Sequence, residues 1–252
     1  MHYQPQLDLL QNRIILVTGA SDGIGREAAI TYAHYGASII LLGRNDEKLR
    51  AVAQEIDHAG LRPARWFTLD LLTCTPQECQ QVAQQISLHY PHLDGVLHNA
   101  GLLGEVVPMD QQAPAVWQQV MQVNVNGTFM LTQALLPLLN NPSSVILCGS
   151  VSARIGLPTS SVYAASKAAL LSLARTLSAE LLPRGIRVNG LSPGPVETPA
   201  FTKTGLSDEA LNAMMAEIIK LVPLGRMGST TELAKAALYL ASDESSYTVG
   251  TE

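Results

Sequence analysis

Six short apolar runs rich in β-branched residues punctuate this chain, and longer stretches with helical spacing separate them. The runs are residues 14–18, 38–42, 65–69, 95–98, 144–148 and 187–192. The helical stretches are residues 25–35, 46–59, 76–89, 115–139, 161–182 and 231–241. Strand alternating with helix is the pattern of a parallel sheet built by right-handed crossovers. The runs are continuously apolar, as expected of strands covered by helices on both faces. The chain is therefore expected to be α/β: one domain over residues 1–252, with a doubly wound parallel sheet flanked by helices on both faces. Hydrophobic residues make up 47% and aromatic residues 5%, so aliphatic side chains must fill the core. Residues 193–224 break the pattern. They are rich in Pro, Gly, Thr and Met and are read as a lid over a pocket.

Charge and cysteine usage exclude several classes of function. A formal net charge of -5 gives no reason to expect a nucleic-acid or anionic-membrane partner. Cys74, Cys79 and Cys148 are too few and too irregular for a disulfide framework. Cys74 and Cys79 have no nearby Cys/His pair to complete a zinc site, and His89, His92 and His98 lack ligand spacing, so no metal is expected. The N-terminal residues lack a basic segment followed by an apolar one, and no apolar run approaches the roughly 18 residues of a membrane span. The expectation is a soluble cytoplasmic protein.

The first apolar run leads into Gly19-Ala-Ser-Asp-Gly23-Ile-Gly25, and a helical pattern follows at once. Gly19 suits the tight turn, Gly23 a close approach of backbone to phosphate, and Gly25 close packing of helix on strand. The N–H groups and dipole of the helix start favour a pyrophosphate. Alone, a glycine trio of this kind also fits a plain turn; its place between strand and helix favours the nucleotide. The second run ends in Gly43-Arg44-Asn45. NAD-binding sheets carry an acidic residue there for the ribose 2′-hydroxyl. Here Arg44 offers a guanidinium fork suited to a 2′-phosphate, so NADP(H) is favoured, with NAD(H) retained as the alternative. Asp46 and Glu47 read as first-turn helix acids.

Ser161-Val-Tyr163-Ala-Ala-Ser166-Lys167 opens another helical stretch, and spacing by four places Tyr163 and Lys167 on one face. A phenol ordinarily titrates near pH 10, and a cation beside it favours the phenolate, which suits a proton donor and acceptor at neutral pH. Ser150 stands just beyond the fifth run, at the carboxyl edge where open α/β sheets bind ligands. Its hydroxyl could polarise a substrate oxygen. A Tyr/Lys pair alone is often a surface pair; the strand-end serine and glycine turn favour chemistry.

Taken together, Thr18-Gly-Ala-Ser-Asp-Gly-Ile-Gly25, His98-Asn-Ala-Gly101, Asn124, Ser150, Tyr163-Ala-Ala-Ser-Lys167 and Pro193-Gly-Pro-Val-Glu-Thr198 resemble the classical short-chain dehydrogenase/reductase family. The resemblance runs from about Arg13 to the C-terminus and implies a Rossmann-type fold. It implies that Tyr163 is the acid/base, that Lys167 binds the nicotinamide ribose, and that Ser150 orients a substrate carbonyl. Asn124 would hold a water in a proton relay from Lys167. Gly19, Ser21, Asp22, Gly23, Ile24 and Gly25 would hold the cofactor with Arg44 and Asn45. Asp70 and Leu71 would follow the third strand beside the adenine, and Asn99, Ala100 and Gly101 would follow the fourth. Pro193, Gly194, Val196 and Thr198 would flank the nicotinamide. Without the resemblance, Asn124 reads as a core amide and Asp70 as a turn residue.

Two departures stand out. His98 occupies the place of the family's first asparagine, so local hydrogen bonds should differ there. The chain also stops at Tyr247-Thr-Val-Gly-Thr-Glu252, where the family continues into a last strand, so a shortened final strand is expected. The reading is an NADP(H)-dependent oxidoreductase moving a hydride between nicotinamide and a ketone or secondary alcohol. A non-catalytic NADP(H)-binding sensor or scaffold is the alternative; reduction of an activated C=C bond, epimerisation and dehydration are further readings that the motifs fit less well. The pocket, expected from residues 101–108, 152–159 and 201–224, is mostly apolar: Leu102, Leu103, Val106, Ile155, Leu157, Phe201, Met214 and Met215. Arg154 or Lys203 is what an anionic substrate would need. The apolar surplus on the stretches at 115–139 and 161–182, with the resemblance, implies a homodimer or homotetramer.

Overall fold

A computed structural model of the protein describes residues 5–200 and 207–252. Among these, six strands form one parallel sheet: β1 (Ile14–Thr18), β2 (Ser38–Gly43), β3 (Arg65–Thr68), β4 (Leu93–His98), β5 (Leu139–Cys148) and β6 (Ile186–Leu191). Their order is β3-β2-β1-β4-β5-β6, and every pairing is parallel. The order reverses direction between β1 and β4, which opens a crevice at their carboxyl ends. Thr18 ends β1 in register with Leu42 of β2 and His98 of β4, and His98 is in register with Leu147 of β5. The strand ends therefore form one level edge from which the functional loops emerge.

The two faces of the sheet bury different helices because strand side chains alternate sides. Ile15, Val17, Ile39 and Leu41 pack under α1 (Gly23–His34), α2 (Asp46–His58) and α8 (Thr230–Ala241). Leu16, Ile40, Val96 and Leu147 pack under α3 (Pro76–Ser87), α5 (Thr128–Leu135) and α6 (Ser161–Leu181). Alanines 28, 29 and 33 on α1, facing alanines 234, 237 and 241 on α8, keep the first layer thin. The Rossmann-type doubly wound sheet expected from the alternating pattern is thus the architecture observed.

Three expectations need correction. Residues 115–139 do not form one helix. They comprise α4 (Pro114–Met121), a π-helical segment (Gln122–Gly127), α5 and a 3-10 turn (Leu136–Leu138), and β5 already begins at Leu139. Val123, Val125, Asn126 and Gly127 are poor helix formers, and Pro137 ends the helix. Strand β5 is longer than its apolar run at 144–148, because its first half carries the exposed residues Asn141 and Pro142. Within the irregular stretch 193–224 lies α7 (Asp208–Leu221), with Ser207 accepting a bond from the Ala210 N–H at 3.3 Å and Asp208 and Glu209 in its first turn. Residues 201–206, including Phe201 and Lys203, lie outside the described residues. At the other end of the chain, residues 250–252 run beside β6: Gly250 N–H donates to Val188 O (3.0 Å) and Gly190 N–H to Thr251 O (2.8 Å).

Candidate active site

The glycine turn is packed so tightly that side chains are excluded from it. Gly19 has φ +63°, and a Cβ there would lie 2.8 Å from the Ala100 Cα. A Cβ on Gly25 would lie 2.3 Å from the Gly19 carbonyl oxygen and 2.5 Å from Asn99 Nδ2. Helix α1 thus begins directly on the end of β1. Thr18 joins the turn to the end of β4, because its Oγ1 accepts the N–H groups of Asn99 and Ala100, each at 3.0 Å. The Asn99 side chain donates back to Thr18 O (3.3 Å) and Gly19 O (3.4 Å). Ser21, Asp22, Gly23 and Ile24 line the turn half-buried. The glycine turn and the residues after β4, read separately in the sequence, are one hydrogen-bonded unit.

At the end of β2, Arg44 is exposed and makes no hydrogen bond or ion pair among the described residues. Asn45 caps α2 by accepting the Lys48 N–H at 2.9 Å. Asp46 is engaged by Arg50 (2.8 Å) and by the Trp66 indole N–H (2.9 Å), which is a structural role for that acid. After β3, Asp70 Oδ1 accepts the Leu72 N–H (3.0 Å) in a tight turn, and buried Leu71 offers its carbonyl to Gln122 Nε2 at 3.2 Å.

Ser150 follows β5 directly and caps a short 3-10 turn, Val151–Ala153, which packs against α6. Its Oγ accepts both the N–H (3.2 Å) and the hydroxyl (3.0 Å) of buried Ser152. With its acceptor capacity so used, the Ser150 hydroxyl proton is left to point elsewhere. On α6, Lys167 is 3% exposed, and its Nζ donates to the Cys148 carbonyl at 2.7 Å. The same Nζ lies 5.6 Å from the centroid of the half-buried Tyr163 ring, whose hydroxyl makes no hydrogen bond among the described residues. Lys167 therefore ties the Tyr163 helix to the last residue of β5, two positions before Ser150.

Asn124 is fully buried in the π-helical segment. Its Oδ1 accepts the Leu102 N–H (2.7 Å), and its Nδ2 donates to Leu102 O (3.0 Å) and Ser166 Oγ (2.9 Å). A Cβ on Gly101 would lie 3.2 Å from Lys167 Nζ and 3.4 Å from Asn124 Oδ1, so these three residues converge. Beyond β6, Pro193 and Val196 are buried, Thr198 is half-buried and Gly194 is exposed. Gly228 pairs with the segment after β6, donating to Pro195 O (2.9 Å) and accepting from Glu197 N–H (3.0 Å). Helix α7 buries none of its residues; Leu211, Met214, Met215, Ile218 and Ile219 form its half-exposed side.

His98 differs from its neighbours in being buried and chemically idle. The Thr132 hydroxyl donates to Thr128 O (2.7 Å), so it accepts from His98 Nε2 at 2.9 Å, and the ring proton sits on Nε2. Nδ1 has no partner among the described residues. Burial pushes the imidazole down to about 4, so the ring is neutral at physiological pH. Arg154, considered above for an anionic substrate, is paired with Glu252. Thr18 belongs to the glycine motif and could have been singled out in the sequence. Ser166 likewise lies inside the Tyr163-Ala-Ala-Ser-Lys167 motif, whereas Ser152 and Glu252 carry no such signal. Among the described residues no cluster of His, Cys, Asp or Glu could hold a metal ion, and no helix is long and apolar enough to cross a membrane.

The profile of a family described as Enoyl-(Acyl carrier protein) reductase matches residues 19–252. The chain is 60% identical over 200 residues to the uncharacterized oxidoreductase YciK of Escherichia coli K12, covering 79% of each. It is 32% identical over 243 residues to the 3-oxoacyl-[acyl-carrier-protein] reductase FabG of Thermotoga maritima, covering 96% of this chain and 95% of that one. A crystal structure of a short-chain dehydrogenase from Escherichia coli CFT073, complexed with NADPH, superposes with a TM-score of 0.85 at 50% identity and covers 98% of both chains. With the parallel sheet and a profile match over nearly its whole length, the chain belongs to the short-chain dehydrogenase/reductase family of oxidoreductases.

Proposed function

We propose that this oxidoreductase interconverts a ketone and a secondary alcohol with NADP(H), using Tyr163 as the acid/base. The observation that carries the reading is Lys167: a buried cation anchored on the last carbonyl of β5 and held 5.6 Å from the Tyr163 ring. It joins the phenol to the strand end that presents Ser150. When bound, the nicotinamide supplies or accepts the hydride. The cradle fits a dinucleotide, because the turn at Gly19 and Gly25 leaves backbone N–H groups at the start of α1 and no room for side chains. Gly23 and Ile24 would face the pyrophosphate, Asp70 and Leu71 the adenine, and Asn99, Ala100 and Gly101 the adenosine. Pro193, Gly194, Val196 and Thr198 would flank the nicotinamide. The unpaired guanidinium of Arg44 supports NADP(H) over NAD(H), as does the NADPH held by the Escherichia coli CFT073 relative.

In the reductive direction, Ser150 donates a hydrogen bond to the carbonyl oxygen and keeps its proton, while Tyr163 transfers the one proton that the oxygen takes up. Lys167 steadies the phenolate left behind. Asn124 braces Leu102 and Ser166, which holds the floor beneath Lys167; a water there would complete the proton supply. The substrate is uncharged and apolar on this reading, since among the described residues Arg154, Lys220 and Arg226 are all paired with carboxylates, Lys203 lying outside them. Residues 193–224 act as the lid, and the domain is one unit over residues 1–252. Self-association is expected through a groove of about 610 Å³ between the π-helical segment, α5 and α6, lined by Phe129, Met130 and Leu173. We place the protein in the cytoplasm, where buried Cys74, Cys79 and Cys148 would stay reduced.

Tyr163→Phe tests the assignment. Turnover of NADPH with a ketone substrate should fall by about a thousandfold, a typical size for loss of general acid catalysis. NADPH affinity should stay within about twofold, as the phenol contributes protons more than binding. Undiminished turnover would remove Tyr163 from the chemistry.

A further inference from the structure

Two loops leave adjacent strands at the carboxyl edge and wall the site. The first follows β5 and carries Ser150, the 3-10 turn Val151–Ala153 and Arg154. The second follows β6 and runs Ser192-Pro193-Gly194. Backbone bonds join their roots: Gly149 N–H donates to Leu191 O (2.7 Å) and Val151 N–H to Pro193 O (3.0 Å).

Farther out, the carboxylate of Glu252 touches both loops. Its Oε2 accepts Arg154 Nε at 2.7 Å and also Arg154 Nη2, while its Oε1 accepts the Ser192 hydroxyl at 2.8 Å. Each oxygen thus serves a different loop. The backbone beneath this carboxylate is fixed by neither. It is stitched to β6 through Thr251 N–H to Asn189 Oδ1 (3.1 Å), Asn189 Nδ2 to Thr248 O (2.9 Å) and Gly190 N–H to Thr251 O (2.8 Å). Arginine 154 and serine 192 hold the Glu252 carboxyl below the usual carboxylate range, so the bracket is charged at neutral pH.

We propose that Glu252 is a positioning residue for Ser150, bracketing the loop that presents it against the loop expected beside the nicotinamide. The inference rests on the reading of Ser150 as the group that meets the substrate oxygen. Its effect should be on geometry more than on stability. The Arg154 side chain is 56% exposed, and ion pairs at exposed sites stabilise little. Displacement of a reacting group by about 1 Å, in contrast, can cost around a hundredfold in rate.

The test compares Glu252→Ala, Glu252→Gln, Arg154→Met and the Arg154→Met/Glu252→Ala double variant in the full chain. Kinetics, NADPH binding, melting and hydrogen exchange of residues 149–156 and 190–196 are measured for each. Glu252→Ala should lower kcat/KM for a ketone about tenfold, mostly through kcat, with NADPH affinity within about twofold. Melting should be nearly unchanged and both loops should exchange faster. Glu252→Gln, which keeps an acceptor for Ser192, should recover part of the loss, and the double variant should be no worse than Glu252→Ala. Unchanged kcat/KM in Glu252→Ala, or single losses that multiply in the double variant, would overturn the proposal. A wild type inactive on every carbonyl and alcohol would sink the reading of Ser150. The bracket would then be decided by exchange alone: unaltered exchange in both loops of Glu252→Ala would overturn it.

Discussion

Replacing His98 with asparagine should flatten the acid limb of this protein's stability curve. The His98 ring is sealed at the end of β4 with its single proton on Nε2, donated to Thr132, and its Nδ1 faces no acceptor among the described residues. A second proton would create a buried N–H donor with nothing to receive it. Burial therefore holds the folded imidazole at about 4, against the 6.5 of a free one. The unfolded chain binds the proton first, so acid favours unfolding. The contribution of the neutral ring is complete above pH 6.5 and is lost as pH falls toward 4. Over the whole interval the loss is about 3 kcal/mol, of which about 2 kcal/mol is gone by pH 5. For a chain of this length that corresponds to a fall in Tm of about 4–8 °C between pH 8 and pH 5 from this group alone. Urea denaturation of wild type and His98→Asn at intervals between pH 8 and pH 5 isolates the effect, because the carboxylates contribute equally to both. The variant should start out less stable, having lost the imidazole bond to Thr132, yet its curve should be shallower by about 2 kcal/mol. Parallel curves would show that His98 titrates normally in the fold and refute the reasoning.

Two other substitutions probe the cofactor cradle. Arg44→Ala should weaken NADPH binding about ten- to a hundredfold, the worth of a charge-assisted bond to phosphate, and leave NADH nearly unaffected; equal changes, read by fluorescence titration, would take Arg44 off the 2′-phosphate. Gly25→Ala places a methyl 2.3 Å from the Gly19 carbonyl, so it should destabilise the fold by about 1–3 kcal/mol in urea and abolish NADPH binding, whereas an unperturbed variant would mean the turn is slack.

Much of this molecule was legible in the sequence because its signals are local. The runs that became β1, β2 and β4 are short and apolar, and the glycines sit where the first strand must turn into a helix. Tyr163 and Lys167 are one helical turn apart. What escaped depended on contacts between distant segments. Nothing in Ser152 announces that it donates to Ser150, and Glu252 meets Arg154 and Ser192 only because the last residues run beside β6. The stretch at 115–139 read as one helix because its apolar face is continuous; the π-helical segment depends on Gly127 fitting against Leu71, where a Cβ would lie 3.0 Å from the Leu71 Cβ. Helix α7 was missed although Leu211, Met214, Met215, Ile218 and Ile219 have helical spacing, since the prolines and glycines flanking it dominate the local pattern. His98 was visible as a departure, but its consequence required Thr132 and Thr128 on a helix thirty or more residues away.

The central claim, hydride transfer at a carbonyl carbon, is tested most directly by following a label. Wild-type protein would be incubated with NADPH deuterated at C4 of the nicotinamide and with paired substrates, a ketone and the matching α,β-unsaturated carbonyl compound. The products would then be read by mass spectrometry and NMR. The account predicts one deuterium on the carbinol carbon of a secondary alcohol, and none when Tyr163→Phe replaces the wild type. Deuterium on the carbon β to an intact carbonyl, as an enoyl reductase would place it, would contradict it.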